Sequence, residues 1–331
     1  MGICLFLLLA SAVLGMVCCG KLKKYAAGEL GLIYKKEAVT REQLNTWWKD
    51  AGAEEKEYIK DITLSKIQEN IAAEDKALGK KTKIQLVEAA GNMNQIMPGK
   101  LYQGSLAFTE DEKGCVISKG LAQEMNFHGV GQSLWIDDNE YKVRGILDSK
   151  EPVCIIQGKE ETLYNRVQIK YQKMPASRAI QMLSGLLPGE PDQKAEGDLY
   201  RGLGGILVML PVTIIFVKGL LLFRRIYRKA HWKPWIKELC SILFPVLFLS
   251  GFFLLCLIGV HFSDDYIPGS WSDFSFWTDL ITKKAGDIGN LLTGRLDCRD
   301  KDMVLWAAGC LMAGVTGAVA VLAGLRDNFT K

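Results

Sequence analysis

The chain has 331 residues, is 49% hydrophobic and 24% charged, and carries a net charge of +4. Residues 21–201 hold 27 basic and 27 acidic side chains, so the whole positive excess lies in the C-terminal third. A neutral polar region lacks the basic face that nucleic acid requires, which excludes that class of partner.

Residues 1–20 carry no charge and are long enough for a membrane helix, the first of four. No Lys or Arg precedes this run, and Val17 before Cys18 is too bulky for lipoprotein processing. An anchored helix is therefore expected rather than a cleaved signal.

Residues 21–201 read as an α+β domain between membrane helices one and two, on the outer side of the membrane. Thr40 and Gln43 have capping-box spacing, which predicts a helix to about Lys49 with Leu44, Trp47 and Trp48 on its apolar side. Residues 58–68 and 82–89 alternate as strands do, and 92–104, with Pro98-Gly99, reads as a loop. Residues 114–118 form a short buried strand, followed by a helix over 119–127. Ser133–Ile136, an acidic turn at Asp137-Asp138 and Tyr141–Leu147 predict a hairpin in which Tyr141 and Val143 face Leu134 and Ile136. Strands follow over 153–157 and 163–171, then an amphipathic helix over 176–187 and a charged linker to Asp198. Cys115 and Cys154 sit on strands of this domain, either as a disulfide or as two unpaired core thiols.

Residues 202–223 form the second membrane helix, with Pro211 inside it and Lys218 near enough to its end to snorkel. Residues 224–238 hold six Lys/Arg and one acid. A short basic loop between two membrane-length segments is cytoplasmic by the positive-inside rule, and it orients the other segments. Residues 239–262 form the third helix, and 263–302 are external. Within that external stretch Trp271–Ile281 places Phe274, Trp277 and Ile281 on one face, as for a helix at the membrane surface. Residues 303–325 form the fourth helix and 326–331 a cytoplasmic tail. Gly309, Ala313 and Gly317, spaced by four, form a helix-packing face for another helix of this chain or of a partner.

Catalysis is not expected. The three histidines, His128, His231 and His261, fall in separate parts of the topology, and no cluster has metal-ligand spacing. No phosphate loop, nucleophile elbow or zinc-protease motif is present.

One helix, a large external domain and three further helices resemble the MacB/FtsX family of ABC-transporter permeases. Leu101-Tyr102-Gln103-Gly104, Val116-Ile117-Ser118, Gly120-Leu121-Ala122, Gly131–Ile136 and Tyr141–Leu147 resemble the strand–helix–glycine–hairpin run of that family's core domain. The resemblance implies a non-catalytic permease without a cofactor of its own, ATP being bound by a cytoplasmic ABC ATPase. It also implies a homodimer or a second permease as partner. The ATPase would push on Arg224, Arg225, Arg228, Lys229, Lys233 and Lys237. Family members carry an unbroken docking helix here, whereas Pro234 falls inside this stretch, and a proline within a helix bends it. A second hypothesis is a receptor or scaffold that binds an envelope partner through the same domain.

Overall fold

A computed structural model describes residues 2–35, 39–97, 99–106, 111–229, 233–260, 263–267, 274–293 and 298–329. In chain order the elements are α1 (Gly2–Ala26), β1 (Glu29–Ile33), α2 (Arg41–Asp50), α3 (Ala53–Tyr58), β2 (Ile59–Asp75), β3 (Lys80–Ala90), β4 (Leu101–Gly104), β5 (Gly114–Ser118), α4 (Lys119–Glu124) and β6 (Ser133–Ile136). They continue with β7 (Asn139–Leu147), β8 (Val153–Gln157), β9 (Arg166–Tyr171), α5 (Ala176–Met182), β10 (Gln193–Glu196), α6 (Gly197–Lys229), α7 (Pro234–Gly259), α8 (Phe274–Thr293) and α9 (Cys298–Phe329). They group into two units: residues 28–196 with 264–301, and residues 1–27, 197–263 and 302–331.

The first unit is α+β, as composition and alternation indicated. Its sheet runs β10-β1-β9-β2-β3-β8-β5-β7-β4, with β6 bridging β7 and β2. That bridge closes a ring of β2, β3, β8, β5, β7 and β6. Ile84, Leu86, Ile117, Leu134, Ile136, Val143 and Ile156 form the core that goes with the ring. A separate core joins β1, β9 and the start of β2 to α2 and α5, through Leu30, Ile62, Val167, Leu44, Ala179 and Leu183.

The 17-residue β2 serves both cores. Its register on β3 slips between Gln68 and Ile71, where Asn70 takes a φ of 59°. Such a bulge increases the local twist of the strand. This strand is longer than the expected 58–68, and β3 joins it directly as a hairpin.

Several local expectations match. Thr40 and Gln43 form the complete capping box: the Gln43 N–H donates to Thr40 Oγ1 at 3.2 Å, and the Thr40 N–H donates to Gln43 Oε1 at 2.8 Å. Ser118 caps α4, accepting from the Leu121 N–H at 3.1 Å and also from the Val153 N–H at 3.0 Å. Asp137 and Asp138 have φ of 44° and 62°, both positive, as a two-residue primed turn requires. The turn residues are therefore only Asp137 and Asp138, and the register is one pair tighter than expected. Leu134 pairs with Tyr141, but Ile136 pairs with Asn139, while Val143 donates its N–H to Gln132.

Other expectations need correction. The segment after α1 is β1, and the charged linker contains β10, which pairs with it in antiparallel register from Leu30↔Glu196 to Ile33↔Gln193. The 92–104 segment ends in β4; Pro98 lies outside the described residues. The helix expected at 271–281 runs over Phe274–Thr293, and residues 271–273 lie outside the described residues. Phe274 and Ile281 are exposed on it, while Lys284 meets Glu196 of β10 at 2.6 Å. The Tyr266 hydroxyl donates to the same Glu196. Burial and the adjacent Glu196 charge push the Tyr266 phenol well above its ordinary range, which keeps the proton on that donor.

Cys115 and Cys154 are both free and fully buried. Cys115 pairs with Ile156 and Cys154 with Ile117, which sets the two cysteines diagonally on adjacent antiparallel strands. A hydrogen bond with Cys115 and burial hold the Cys154 thiol well above its usual range. We expect N-ethylmaleimide to label neither residue in the folded protein, and to label both after unfolding without reductant. Mass spectrometry reads the outcome; a requirement for reductant would show a disulfide instead.

Candidate functional site

The second unit holds the apolar helices. Among the described residues four helices are long and apolar enough to cross a membrane, with windows within Gly2–Ala26, Gly197–Lys229, Glu238–Leu257 and Asp300–Gly324.

Small residues set how these helices meet. α9 lies against α1 and α6 of the same chain. A Cβ on Gly309 would stand 2.6 Å from Cys18 Sγ, and one on Gly317 would stand 2.6 Å from Pro211 Cγ and 2.7 Å from Ser11 Oγ. A Cβ on Gly15 of α1 would lie 3.6 Å from the Ala313 methyl, and Ala313 is buried. Gly314, one residue beyond the expected face, makes the closest approach: a Cβ there would lie 2.1 Å from the Leu207 carbonyl oxygen of α6. The four-residue spacing thus marks a face where side chains of α1 and α6 fit against glycines, and Gly314 beside it makes the backbone-to-backbone contact, in which dispersion between closely approaching helices replaces the missing hydrophobic drive.

The basic residues sit where α6 ends and α7 begins. The α6 helix is unbroken through Lys229, so Arg224, Arg225, Arg228 and Lys229 occupy its last two turns rather than a loop. All four side chains are exposed. Cations at a helix C-terminus offset the partial negative charge of the unpaired carbonyls there. Residues 230–232, including His231, lie outside the described residues, as do the side chain of Lys237 and the whole of His261. Lys233 is exposed and is the N-cap residue of α7.

Pro234 corrects the expectation of a bend. It stands at the first position of α7, where its missing N–H has no partner to lose and its fixed φ suits the helix. Proline starts the second helix of a hairpin here and interrupts nothing.

Aromatic stacking holds the hairpin beside its basic end. Phe216 stacks on Phe248 at 4.5 Å and on Phe252 at 4.3 Å, and Phe223 stacks on Phe244 at 3.8 Å between ring centroids. Tyr227 continues the row from Phe223 at 6.0 Å. Gly219 lies between Phe216 and Phe223, and a Cβ there would come within 2.9 Å of the Phe248 ring. The positive charges are thus mounted on two helices whose separation is fixed by rings. The charges are plain in the sequence, but the ring ladder depends on which faces of α6 and α7 meet, and that follows only from the fold.

The α+β unit has a groove of about 920 Å³. Lys113, Lys142 and Lys159 bring positive charge to it, and Glu112, Asp138 and Glu140 bring negative charge. Gln157 lines it while only 4% exposed, and its Oε1 accepts no hydrogen bond from the described residues. Arg144 and Asp111 close on each other at 2.7 Å. Among the described residues no group of three or more His, Cys, Asp or Glu could hold a metal ion. His128 is exposed after α4, and Asp265 accepts from the Ser177 N–H at 3.0 Å and from the Ser177 hydroxyl, at the first turn of α5.

No family model matches the chain, and no curated protein matches it. Among solved structures it is similar to the periplasmic region of MacB from Actinobacillus actinomycetemcomitans, at 13% identity and TM-score 0.43, covering 54% of this chain and 92% of that one. It is similar to the extracellular domain of the ABC-type transporter YknZ from Gram-positive bacteria, at 17% identity and TM-score 0.36, covering 46% and 87%. It is also similar to a permease-protein domain from Porphyromonas gingivalis, at 11% identity and TM-score 0.34, covering 48% and 83%.

The α6–α9 contact predicts a sharp contrast between two glycines. Gly314→Leu must push the Leu207 backbone away and should lower stability by about 1–3 kcal/mol or more. Gly251→Leu on α7, with nothing within 4 Å, should leave it nearly unchanged. Thermal unfolding of the detergent-solubilised protein checks both. A second check is cross-linking: the Cys19 and Cys310 sulfurs lie 3.7 Å apart, so copper phenanthroline should join α1 to α9. Cys310→Ser should abolish that product.

Proposed function

We propose that this chain is the permease-like subunit of an ABC transporter, and that it transmits movement of a separate cytoplasmic ATPase to its own extracytoplasmic α+β domain. The observation that carries this reading is the α6–α7 hairpin. The membrane-length α6 ends in four exposed cations and is clamped to α7 by stacked rings, so a push on the charged end moves both helices as one body. The positive-inside rule assigns that end to the cytoplasm and the α+β domain to the opposite side. The multi-pass arrangement suits the plasma membrane, and the chain hydrolyses nothing itself. The motif run from Leu101 to Leu147 and the order of the helices further support the reading.

The α+β domain leads into the first two helices without a linker. α1 ends at Ala26 and β1 starts at Glu29; β10 ends at Glu196 and α6 starts at Gly197. Displacement of either helix along its axis is passed to one of two paired strands. Substrate export and mechanical activation of an envelope partner both fit this design.

One observation favours a second role for the domain, as a binding module. The groove holds a buried amide oxygen without a donor among the described residues, and a buried acceptor left unpaired costs about 1–3 kcal/mol. A ligand or envelope partner that supplies an N–H or O–H to Gln157 relieves that cost.

The primary reading is tested by co-purification. The ATPase should copurify with this chain in detergent, and replacing Arg224, Arg225 and Arg228 by Ala should release it while leaving the thermal midpoint of the chain within a few degrees. Absence of any ATPase in the complex, together with an unaltered elution profile of the triple variant, would sink it.

A further inference from the structure

Lys218 is a cation without an anion. It lies six residues before the basic end of α6, inside the apolar span, and it makes no ion pair or hydrogen bond with any described residue. A charge within an apolar span is stabilised by a counter-charge or by reaching water or a headgroup at the span's end. It lines a cavity of about 340 Å³ together with Ile215, Leu222 and Arg225 of α6 and Val321 of α9. The positions 215, 218, 222 and 225 recur at helical spacing and share one face. No acidic residue is among the described residues that line the cavity, and the rest of its wall is apolar.

We propose that this cavity binds an anionic phospholipid. The phosphate sits at the Lys218 ammonium, and an acyl chain lies along Ile215, Leu222 and Val321. The apolar wall excludes a fully polar ligand, and the Lys218 charge selects an anionic one over an uncharged one. The positive-inside orientation turns this face toward the leaflet in which anionic lipids carry the surface charge. The site needs the membrane but not the ATPase, so it stands or falls separately from the transporter reading.

Native mass spectrometry of the full chain in detergent tests it. The probes are dioleoyl phosphatidylglycerol and dioleoyl phosphatidylcholine, which share acyl chains and differ in headgroup charge. The wild type should retain phosphatidylglycerol adducts in preference to phosphatidylcholine. Lys218→Ala should weaken phosphatidylglycerol binding by about fivefold, as expected for one lysine at a lipid phosphate. Lys218→Arg should restore it, and Arg228→Ala, outside the cavity, should leave it intact. Equal retention of the two lipids overturns the proposal, as does a preference that survives Lys218→Ala. Binding of inorganic phosphate alone with the same Lys218 dependence would assign the site to a free anion and overturn the lipid assignment.

Discussion

The pairing of β1 with β10 is the constraint on which the rest of the molecule depends. These two short strands are the direct continuations of α1 and α6, and four successive residues of each lie side by side. Nothing about QKAE, the sequence of β10, favours a strand; its hydrogen bonds to β1 hold it in one. Glu196, its last residue, takes the Tyr266 hydroxyl and the Lys284 ammonium. The segment that follows the third apolar helix is therefore anchored to the strand that precedes the second. Close to the same point, a Cβ on Gly197 would fall 1.9 Å from the Ala26 carbonyl oxygen, so the end of α1 and the start of α6 meet backbone to backbone.

Two kinds of packing then give the helices distinct roles. Where α9 meets α1 and α6, small residues bring backbones together, and sliding would drive Leu207, Pro211 and Ser11 into space that only hydrogen atoms fill. Where α6 meets α7, stacked rings and one glycine make the contact. Offset ring stacks add to simple burial, and they concentrate that gain along one seam. The charged end of α6 lies just beyond this seam. A ring-stacked hairpin with a charged tip and a glycine-packed bundle are thus two differently built parts of the helical unit.

The legible parts of the sequence were those with local causes. Apolar length marked the four long helices, the Thr40–Gln43 spacing marked a cap, and Asp137-Asp138 between alternating segments marked a turn. The charge cluster at Arg224–Lys229 was equally plain, but its conformation was not, because charged residues are good helix formers and a run of them reads equally as loop. Pro234 was misplaced for the same reason: its effect depends on whether it lies inside a helix or at its start. β1 escaped notice because ELGLI follows an apolar helix and extends its hydrophobic signal. The closure of the ring by β6 on β2 rests on only two residue pairs, Ala73↔Ile136 and Glu74↔Trp135, far apart in sequence. Long-range pairing of that kind leaves no local trace. The groove at Gln157 was hidden for a related reason, since an orphaned buried oxygen exists only once every neighbour has been placed.

Hydrogen–deuterium exchange tests coupling most directly. The full chain, reconstituted in nanodiscs with the proposed partner ATPase, is compared in nucleotide-free and ATP-bound states. Transmission through α1 and α6 predicts that ATP alters amide protection at the end of α6 and, with it, along β1, β10 and α8. A response confined to the α6–α7 end, with β1 and β10 unaltered, would contradict it.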